Sequence, residues 1–502
     1  MKILLTTLNA KYVHSCLALK YLCTAALNAG FDAEYREFTI NNDMHYVYGE
    51  LVRGDYDLIG FSCYIWNIEK IKELAADIKK ACPRVRILLG GPEAGSDAVS
   101  FLAEHRWADW ILRGEGEISL VRFLQCLESA GDLSRIGGLT YRREGRICEN
   151  PQYPPVSPDQ IPFPYSIFPA ERDKVIYYES SRGCPYRCSY CLSSLEKQVR
   201  ALPLERVERE LSWFLKQSVR QVKFIDRTFN YDRKRARDIW KFLIDNDNGR
   251  TNFHFEICGD LLGEEEFDLL SGVRRGLFQF EIGIQSTNPR ALAAVDRKAD
   301  TGRLLGNVEK LTEMKNIHIH TDLIAGLPYE DYASFGRSFD QVYALKGDNL
   351  QLGFLKLLKG TKLRREKEVF GYVCREKAPY EVISSGYLSA RELVRLKMIE
   401  TVLDLYANRG GFSGGLDYLI EKTALSPFSF YEQFADFFFE QGYQHRSHRK
   451  EDLYRILFRF AASLEESLPG IGEETRLFLE RDLEENMNFD AVKKFHKKGW
   501  EI

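Results

Sequence analysis

The run VIYYES (175–180) followed by SRGCPYRCSYC (181–191) decides how this chain is read. Its first part is apolar and aromatic, as a short buried strand is. Its second part, broken by Gly183 and Pro185, is a loop that carries three thiols, Cys184, Cys188 and Cys191, in a Cys-x3-Cys-x2-Cys spacing. The other cysteines of the 11 are scattered: Cys16, Cys23, Cys63, Cys82, Cys126, Cys148, Cys258 and Cys374. An odd count spread over 502 residues does not make a disulfide scaffold. Close thiols on one loop point instead to a metal site. Zinc normally takes four ligands, and no fourth Cys or His lies within 10 residues of the cluster. Thiolates are also the usual ligands of iron–sulfur clusters. Three thiolates for four irons would leave one iron open to an outside ligand.

Downstream of the thiols the chain alternates strands and amphipathic helices. Strands are expected at 175–180, 221–226, 252–259, 277–286, 317–325 and 349–358. Six β-α units are too few for a closed eight-fold barrel, so a partial, open (β/α)6 barrel is expected. Period-2 alternation gives its strands one polar face: His254, Glu256, Cys258 and Asp260 on one, Gln279, Glu281 and Gln285 on the next, His318, His320 and Asp322 on another. The resulting polar lumen suits a barrel that holds a large polar ligand.

Upstream, KILLTTL (2–8), FDAEYREF (31–38), YDLIGFSCY (56–64), RVRILLGG (84–91) and ADWILRG (108–114) alternate with helical stretches such as 67–81. Five β-α repeats imply a doubly wound, Rossmann-like parallel sheet, whose ligands bind beyond the carboxyl ends of the strands. A hairpin is expected over 136–149. Seven of the 16 prolines then fall between Pro151 and Pro169, a composition that behaves as an extended connector. After about 362 the β-α rhythm stops and the sequence turns helical and aromatic, as in FSFYEQFADFFFEQGY (428–443). The expected organisation is an α/β chain with a Rossmann-like domain (1–150), a Pro-rich linker (151–172), a partial TIM barrel (173–362) and a mostly helical C-terminal domain (363–502).

Composition narrows the function. Hydrophobic residues make up 44% and charged residues 28%, an ordinary globular mixture. The net charge of −3 is spread evenly, without the basic excess of a nucleic-acid binder, so nucleic acid is not an expected partner. The apolar runs are too short to span a bilayer. The opening MKILLTTLNAKYVHS lacks the pattern of a signal peptide, and a cytoplasmic location is expected.

With the thiol loop after the first strand of a partial barrel, the chain resembles the radical S-adenosylmethionine (SAM) superfamily. FIDRTFN (224–230), FEIGIQS (280–286) and HTDLIAGLP (320–328) resemble that superfamily's later strands. The resemblance implies a [4Fe–4S] cluster held by Cys184, Cys188 and Cys191, and SAM on its open iron. Tyr190 matches the family's aromatic near the adenine. Asp226, Asp260, Glu281, Gln285 and Asp322 are candidates to touch SAM or substrate.

A doubly wound domain ahead of such a barrel resembles the cobalamin (B12)-binding class, in a subfamily whose C-terminal domain has no known function. The strand-end loops GFSCYIWN (60–67), LLGGPEA (88–94) and RGEGE (113–117) carry that likeness. They make Tyr64, Trp66, Asn67, Gly90, Gly91, Pro92, Gly114, Glu115 and Gly116 candidates for the cobalamin site. The class's Asp-x-His-x-x-Gly motif is not kept. Asp43 and His45 have the right spacing, but Tyr48 stands in place of glycine. His14, after the first strand, is the candidate lower ligand of cobalt.

The resemblance implies a methyltransferase. Cobalamin would carry a methyl group taken from one SAM, and a 5′-deoxyadenosyl radical from a second SAM would activate a carbon or phosphorus centre. A small-molecule or peptide substrate and an electron donor such as flavodoxin or ferredoxin are expected. Cyclisation or rearrangement by the same cofactors is one alternative. A methylthiotransferase acting on tRNA or protein is another; it would need Cys16, Cys63 and Cys82 to hold a second cluster. A non-catalytic cobalamin or cluster sensor is the third.

Overall fold

The computed structural model describes residues 1–196 and 198–500. Seven strands form the first sheet: β1 (Lys2–Asn9), β2 (Asp32–Thr39), β3 (Leu58–Ser62), β4 (Arg86–Gly90), β5 (Trp110–Leu112), β6 (Leu139–Arg143) and β7 (Arg146–Glu149). Their order is β2-β1-β3-β4-β5-β6-β7, with β1 to β5 parallel and the β6–β7 hairpin antiparallel at one edge. This is the doubly wound order with its switch point between β1 and β3. Alternation along β1 shows why helices cover both faces. Ile3 and Leu5 pack with Leu19, Leu120 and Phe123 on one side, and Leu4 and Leu8 pack with Val47, Leu51, Ile71 and Leu74 on the other.

Residues 151–169 carry only short 3-10 turns, in keeping with their prolines. The second sheet then begins with β8 (Ile176–Tyr178). The thiol loop follows, fenced by a small antiparallel pair, β9 (Ser181–Arg182) and β10 (Arg200–Ala201). Strands β11 (Gln221–Phe224), β12 (Asn252–Ile257), β13 (Phe278–Gln285), β14 (His318–Ala325) and β15 (Asn349–Phe354) complete it. All six main strands are parallel, in the order β15-β14-β13-β12-β11-β8, and among the described residues β8 and β15 do not pair. The sheet is the open, partial barrel expected from the sequence. Phe253, Phe255, Phe278 and Phe280 turn outward into the helix layer with Trp240 and Val308, which leaves the polar set facing inward.

The last third holds helices Ala390–Leu403, Ser413–Thr423, Pro427–Glu440, Lys450–Ser463, Ile471–Asn486 and Phe489–Lys498. A small antiparallel pair not foreseen in the sequence, β16 (Val373–Cys374) and β17 (Val382–Ser384), precedes them. Among the described residues no helix is long and apolar enough to cross a membrane.

Phe255 is fully buried, with ring centroids 4.5 Å from Phe224 and 4.4 Å from Phe229. Phe255→Ala should lower stability by about 3–5 kcal/mol, read as a shifted urea midpoint, because the aromatic cluster cannot close the void. A shift worth less than about 1 kcal/mol would mean that the cluster collapses into it.

Candidate active site

The thiol loop leaves the carboxyl end of β8. Gly183, at φ +95°, lies so close to the carbonyl of Gln198 that a side chain there would collide with it. Cys184 and Cys188 are buried, Cys191 is half-buried, and all three are free thiols. The Cys191 amide donates to the Cys188 carbonyl (3.0 Å) and the Ser189 amide to Val295 (2.9 Å), so the loop is held to the barrel rim at its centre. The Cys184 sulfur lies 3.6 Å from Thr228 Oγ1. Burial pushes the Cys188 thiol up, and the Arg297 guanidinium, 3.9 Å away, pulls it back. Among the described residues no three Cys, His, Asp or Glu side chains converge as ligands of one ion would. Cluster ligands need not converge, since each thiolate binds a different iron.

The lumen divides into a paired lower part and an upper part with unpaired atoms. Below, Glu281 accepts from Lys223 Nζ (2.8 Å) and pairs with His254 Nε2 (3.0 Å). Burial alone would raise Glu281, but these two partners hold it down at about 2. At the carboxyl ends of the strands, buried Asp260 Oδ1, Asp322 Oδ1, Ser189 Oγ and Arg297 Nε have no protein partner. Asp322 is pushed up to about 7 by burial, reinforced by the charges of Glu281 and Glu256. Gln285 stands at φ +73°, beside a bulge in the β13–β14 register. Such a conformation in a non-glycine residue holds only where its surroundings enforce it. Tyr190 packs its ring against the barrel core.

Asp226, a candidate to touch SAM, is engaged at the base of the thiol loop. Its carboxylate accepts from the Ser180 amide (2.9 Å) and from the hydroxyls of Ser180 (2.6 Å) and Ser181 (2.6 Å), tying the end of β11 to the end of β8.

A cavity of about 980 Å³ separates the carboxyl ends of β3, β4 and β5 from the thiol loop. Of the residues singled out in the sequence, Tyr64, Gly90, Gly91, Pro92, Gly114, Glu115 and Gly116 line it, together with Gly183, Leu192 and Arg227 from the barrel side. Gly91 is at φ +89°, and a Cβ there would meet the Cys63 carbonyl at 2.6 Å, so the loops after β3 and β4 can cross only with glycine at 91.

His14, Trp66 and Asn67 are not among the lining residues. His14 Nδ1 bonds Tyr177 Oη (2.7 Å) on the barrel side of the domain junction. Trp66 stacks behind Tyr64 (centroids 4.5 Å apart, 6° between planes) and donates to Leu8. Asn67 is a fastener: its amide donates to Thr7, Leu8 and Ser62 at 3.0–3.1 Å, tying β1 to β3 at the switch point. Asp43 caps the helix Met44–Arg53 by accepting from the amides of His45 and Tyr46, which accounts for the partial motif there.

Sequence reasoning missed an ion-pair network across the domain junction. Arg182 pairs with Glu179 (2.8 Å) and with Glu117 (2.5 Å) of the first domain, and Arg200 with Glu115. Burial pushes Glu179 up to about 7 against the pull of Arg182. Arg297 was missed as well. Cys16 packs in one core layer of the first sheet and Cys63 in the other, so these two do not come together as a second cluster site requires.

Comparison with known proteins agrees with this architecture. Three family models match: B12 binding domain (residues 3–124), Radical SAM superfamily (178–342) and Protein of unknown function DUF4080 (368–500). The chain is a radical SAM protein with an amino-terminal B12-binding domain. Within that class it belongs to the subfamily that ends in a DUF4080 domain.

The 2-(S-pantetheinyl)-carbapenam-3-carboxylate methyltransferase of Streptantibioticus cattleyicolor is 27% identical over 388 residues, 69% of this chain and 53% of that protein. The cobalamin-dependent radical SAM methyltransferase TokK of Streptomyces tokunonensis is 28% identical over 312 residues, 56% of this chain and 44% of that protein. The chain thus spans about half the length of these curated relatives. The structure of OxsB, a cobalamin-dependent S-adenosylmethionine radical enzyme with aqua-cobalamin and S-adenosylmethionine bound, superposes with a TM-score of 0.65 at 15% identity, covering 99% of this chain and 83% of that one. At that identity the likeness is one of fold.

The raised carboxyl of Asp322 gives a stability test. The folded chain keeps this proton between about pH 4 and 7, whereas an unfolded aspartate has lost it. This carboxyl therefore costs stability increasingly as pH rises through that window, and fully above it. Asp322→Asn stays neutral. In urea titrations it should match the parent chain near pH 4 and exceed it above pH 7, by at most about 4 kcal/mol. A difference independent of pH would refute the assignment.

Proposed function

We propose that the chain is a cobalamin-dependent radical SAM methyltransferase, with Cys184, Cys188 and Cys191 as the ligands of a [4Fe–4S] cluster. The observation that carries this reading is the shared space: the cavity at the strand ends of the B12-binding sheet is walled on its far side by the thiol loop. The donor set fits the groups it would hold. Three free thiols suit a cluster with one open iron. The orphaned oxygens of Asp260 and Asp322 and the orphaned Nε of Arg297 are acceptors and a donor that a zwitterionic cosubstrate would satisfy. The glycine-floored cavity leaves room for a flat macrocycle to lie close to backbone.

When bound, the cluster supplies the electron that cleaves SAM, and the corrinoid supplies the methyl group. The chain's own residues bind and orient. Asp260, Asp322, Gln285 and Tyr190 take SAM at the carboxyl ends of the strands, and Arg297 sets the charge beside Cys188. Gly90, Gly91, Pro92, Gly114 and Gly116 give the corrinoid a close backbone surface, and Tyr64 gives it an aromatic wall stiffened by Trp66. Asp226 and Asn67 act one step removed, by fixing the loops on which these residues sit. Glu115 and Glu117 draw the two cofactor sites together through Arg200 and Arg182. No protein side chain is assigned to the lower face of cobalt, because His14 does not line the cavity. A small-molecule or peptide substrate, a cytoplasmic setting and a flavodoxin or ferredoxin donor complete the proposal.

The test is anaerobic reconstitution with iron and sulfide, with and without hydroxocobalamin, followed by assay of SAM cleavage. A corrinoid band together with 5′-deoxyadenosine and S-adenosylhomocysteine is the expected result. Two clusters without corrinoid would point to a methylthiotransferase, and loaded protein that leaves SAM intact to a sensor. Cys188→Ala should reduce 5′-deoxyadenosine to the protein-free background while corrinoid binding persists. Retained cleavage in that variant would overturn the cluster assignment.

A further inference from the structure

We propose that residues 358–382, which lead into the C-terminal domain, form a strap that holds the loop of residues 90–95 against the thiol loop, with Tyr380 as its positioning residue. The proposal rests on reading the cavity as the corrinoid site.

The strap touches each part of the proposed active site. Gly360 lines the cavity at its rim, next to Leu195 and Ser96. The Leu363 amide donates to the Ser189 carbonyl between two of the thiols (2.9 Å), and Lys362 pairs with Asp296 (2.8 Å), next in sequence to Arg297. Tyr372 Oη donates to the Gly326 carbonyl in the loop after β14 (2.7 Å). Tyr380 Oη then donates to Glu93 Oε2 of the B12-binding domain (2.7 Å).

Glu93 sits on the back of the 90–95 segment, which closes in a short helical turn (Pro92–Gly95) and whose front residues Gly91, Pro92 and Gly95 line the cavity. Both Glu93 and Tyr380 are buried, and among the described residues the one cation paired with the carboxylate is Lys359, 4.0 Å away. A buried carboxylate needs such donors, so the Tyr380 hydroxyl is the main hold on this loop from outside its own domain. Tyr380 itself is firmly placed. Its backbone is at φ +57°, its carbonyl accepts from the Leu357 amide (3.0 Å), and the Arg364 guanidinium lies 4.5 Å from its ring centroid. A tyrosine kept in a left-handed conformation and aimed at another domain's buried carboxylate is a fixed strut. One task of the C-terminal domain follows: it sets the position of the corrinoid loop relative to the thiols.

The test is Tyr380→Phe, which keeps the ring and removes only the hydroxyl. In the cofactor-free full-length chain, amide hydrogen exchange at Glu93, Gly95 and Ser96 should become about tenfold faster, because losing a hydrogen bond to a buried carboxylate is worth at least that factor. Exchange in β6 and β7 should not change. After reconstitution, iron content and 5′-deoxyadenosine formation should equal those of the parent chain, while bound hydroxocobalamin should be lost about tenfold faster on dilution. Unchanged exchange at 93–96 would overturn the strap whatever the corrinoid does. Faster exchange in a chain whose parent form binds no corrinoid would keep the strap and discard the reading of the cavity. Adding Glu93→Gln to Tyr380→Phe provides the control: a strut acting through Glu93 predicts that the double variant exchanges no faster than Tyr380→Phe alone, and additive acceleration would overturn that route.

Discussion

Buried polar atoms must find partners, and an open barrel with a polar lumen has many to place. Each inward residue of β11 to β14 faces other polar groups, since its neighbours on the same face alternate in the same way. In the lower lumen the demand is met internally. Lys223, Glu281 and His254 form one bonded set, and Gln279, His320 and His318 another, with Gln279 3.2 Å from His320 and His320 2.9 Å from His318; Gln221 and Asp348 extend the second. At the upper rim it is not met. Leaving Asp260, Asp322, Ser189 and Arg297 with unpaired buried atoms costs about 1–3 kcal/mol each. These four unpaired groups gather on the rim that carries the thiols, where they are available to a bound ligand. The paired lower lumen is the floor beneath it.

The same logic governs the junction between the first two domains. Arg182 and Arg200 are largely withdrawn from water, and a buried ion pair returns little net stability against the cost of desolvating it. What it does enforce is geometry. Arg182 must sit where Glu117 and Glu179 both reach it, which constrains how the two domains dock. Because Arg182 and Gly183 stand ahead of the thiols, fixing the arginine fixes the start of the thiol loop against the cavity.

Much of this was legible in the sequence because the signals are local or periodic. The spacing of the thiols, the alternation that gives a polar lumen and the rhythm of β-α units all lie within short windows. What was not legible depends on contacts that the chain makes only once folded. Arg297 approaches Cys188 across 109 positions and has no neighbours in sequence that mark it. Asn67 stands at a strand end, where a ligand and a fastener look alike, and only its three bonds into β1 and β3 separate them. Gln285 was placed on the polar face by alternation, but the bulge at Gly283 and its left-handed backbone break that alternation at its last step. His14 follows the first strand as the cobalt ligand of the class would, yet it turns to Tyr177, a partner no local pattern reveals.

The barrel's two edges explain why the chain needs all its parts. A partial barrel exposes unpaired backbone along its first and last strands, a standing invitation to aggregate. At β8 the first domain supplies the cover: the Val175 amide donates to Val13 (2.8 Å) and Ser15 Oγ to the Val175 carbonyl (3.1 Å), so the loop after β1 acts as an edge partner. At β15 the C-terminal domain does so, with the Asn408 side chain accepting from the Leu350 amide (2.9 Å) and donating to its carbonyl (3.0 Å), as a neighbouring strand would. Asn408 ends a π-helical turn (Asp404–Asn408), an irregularity that turns the amide toward the strand. Opening the barrel gives a large cofactor access to the lumen, but it transfers the task of satisfying both edges to the flanking domains. The domains that close the edges therefore also bound the candidate site, and neither can shift without disturbing both the barrel and that site.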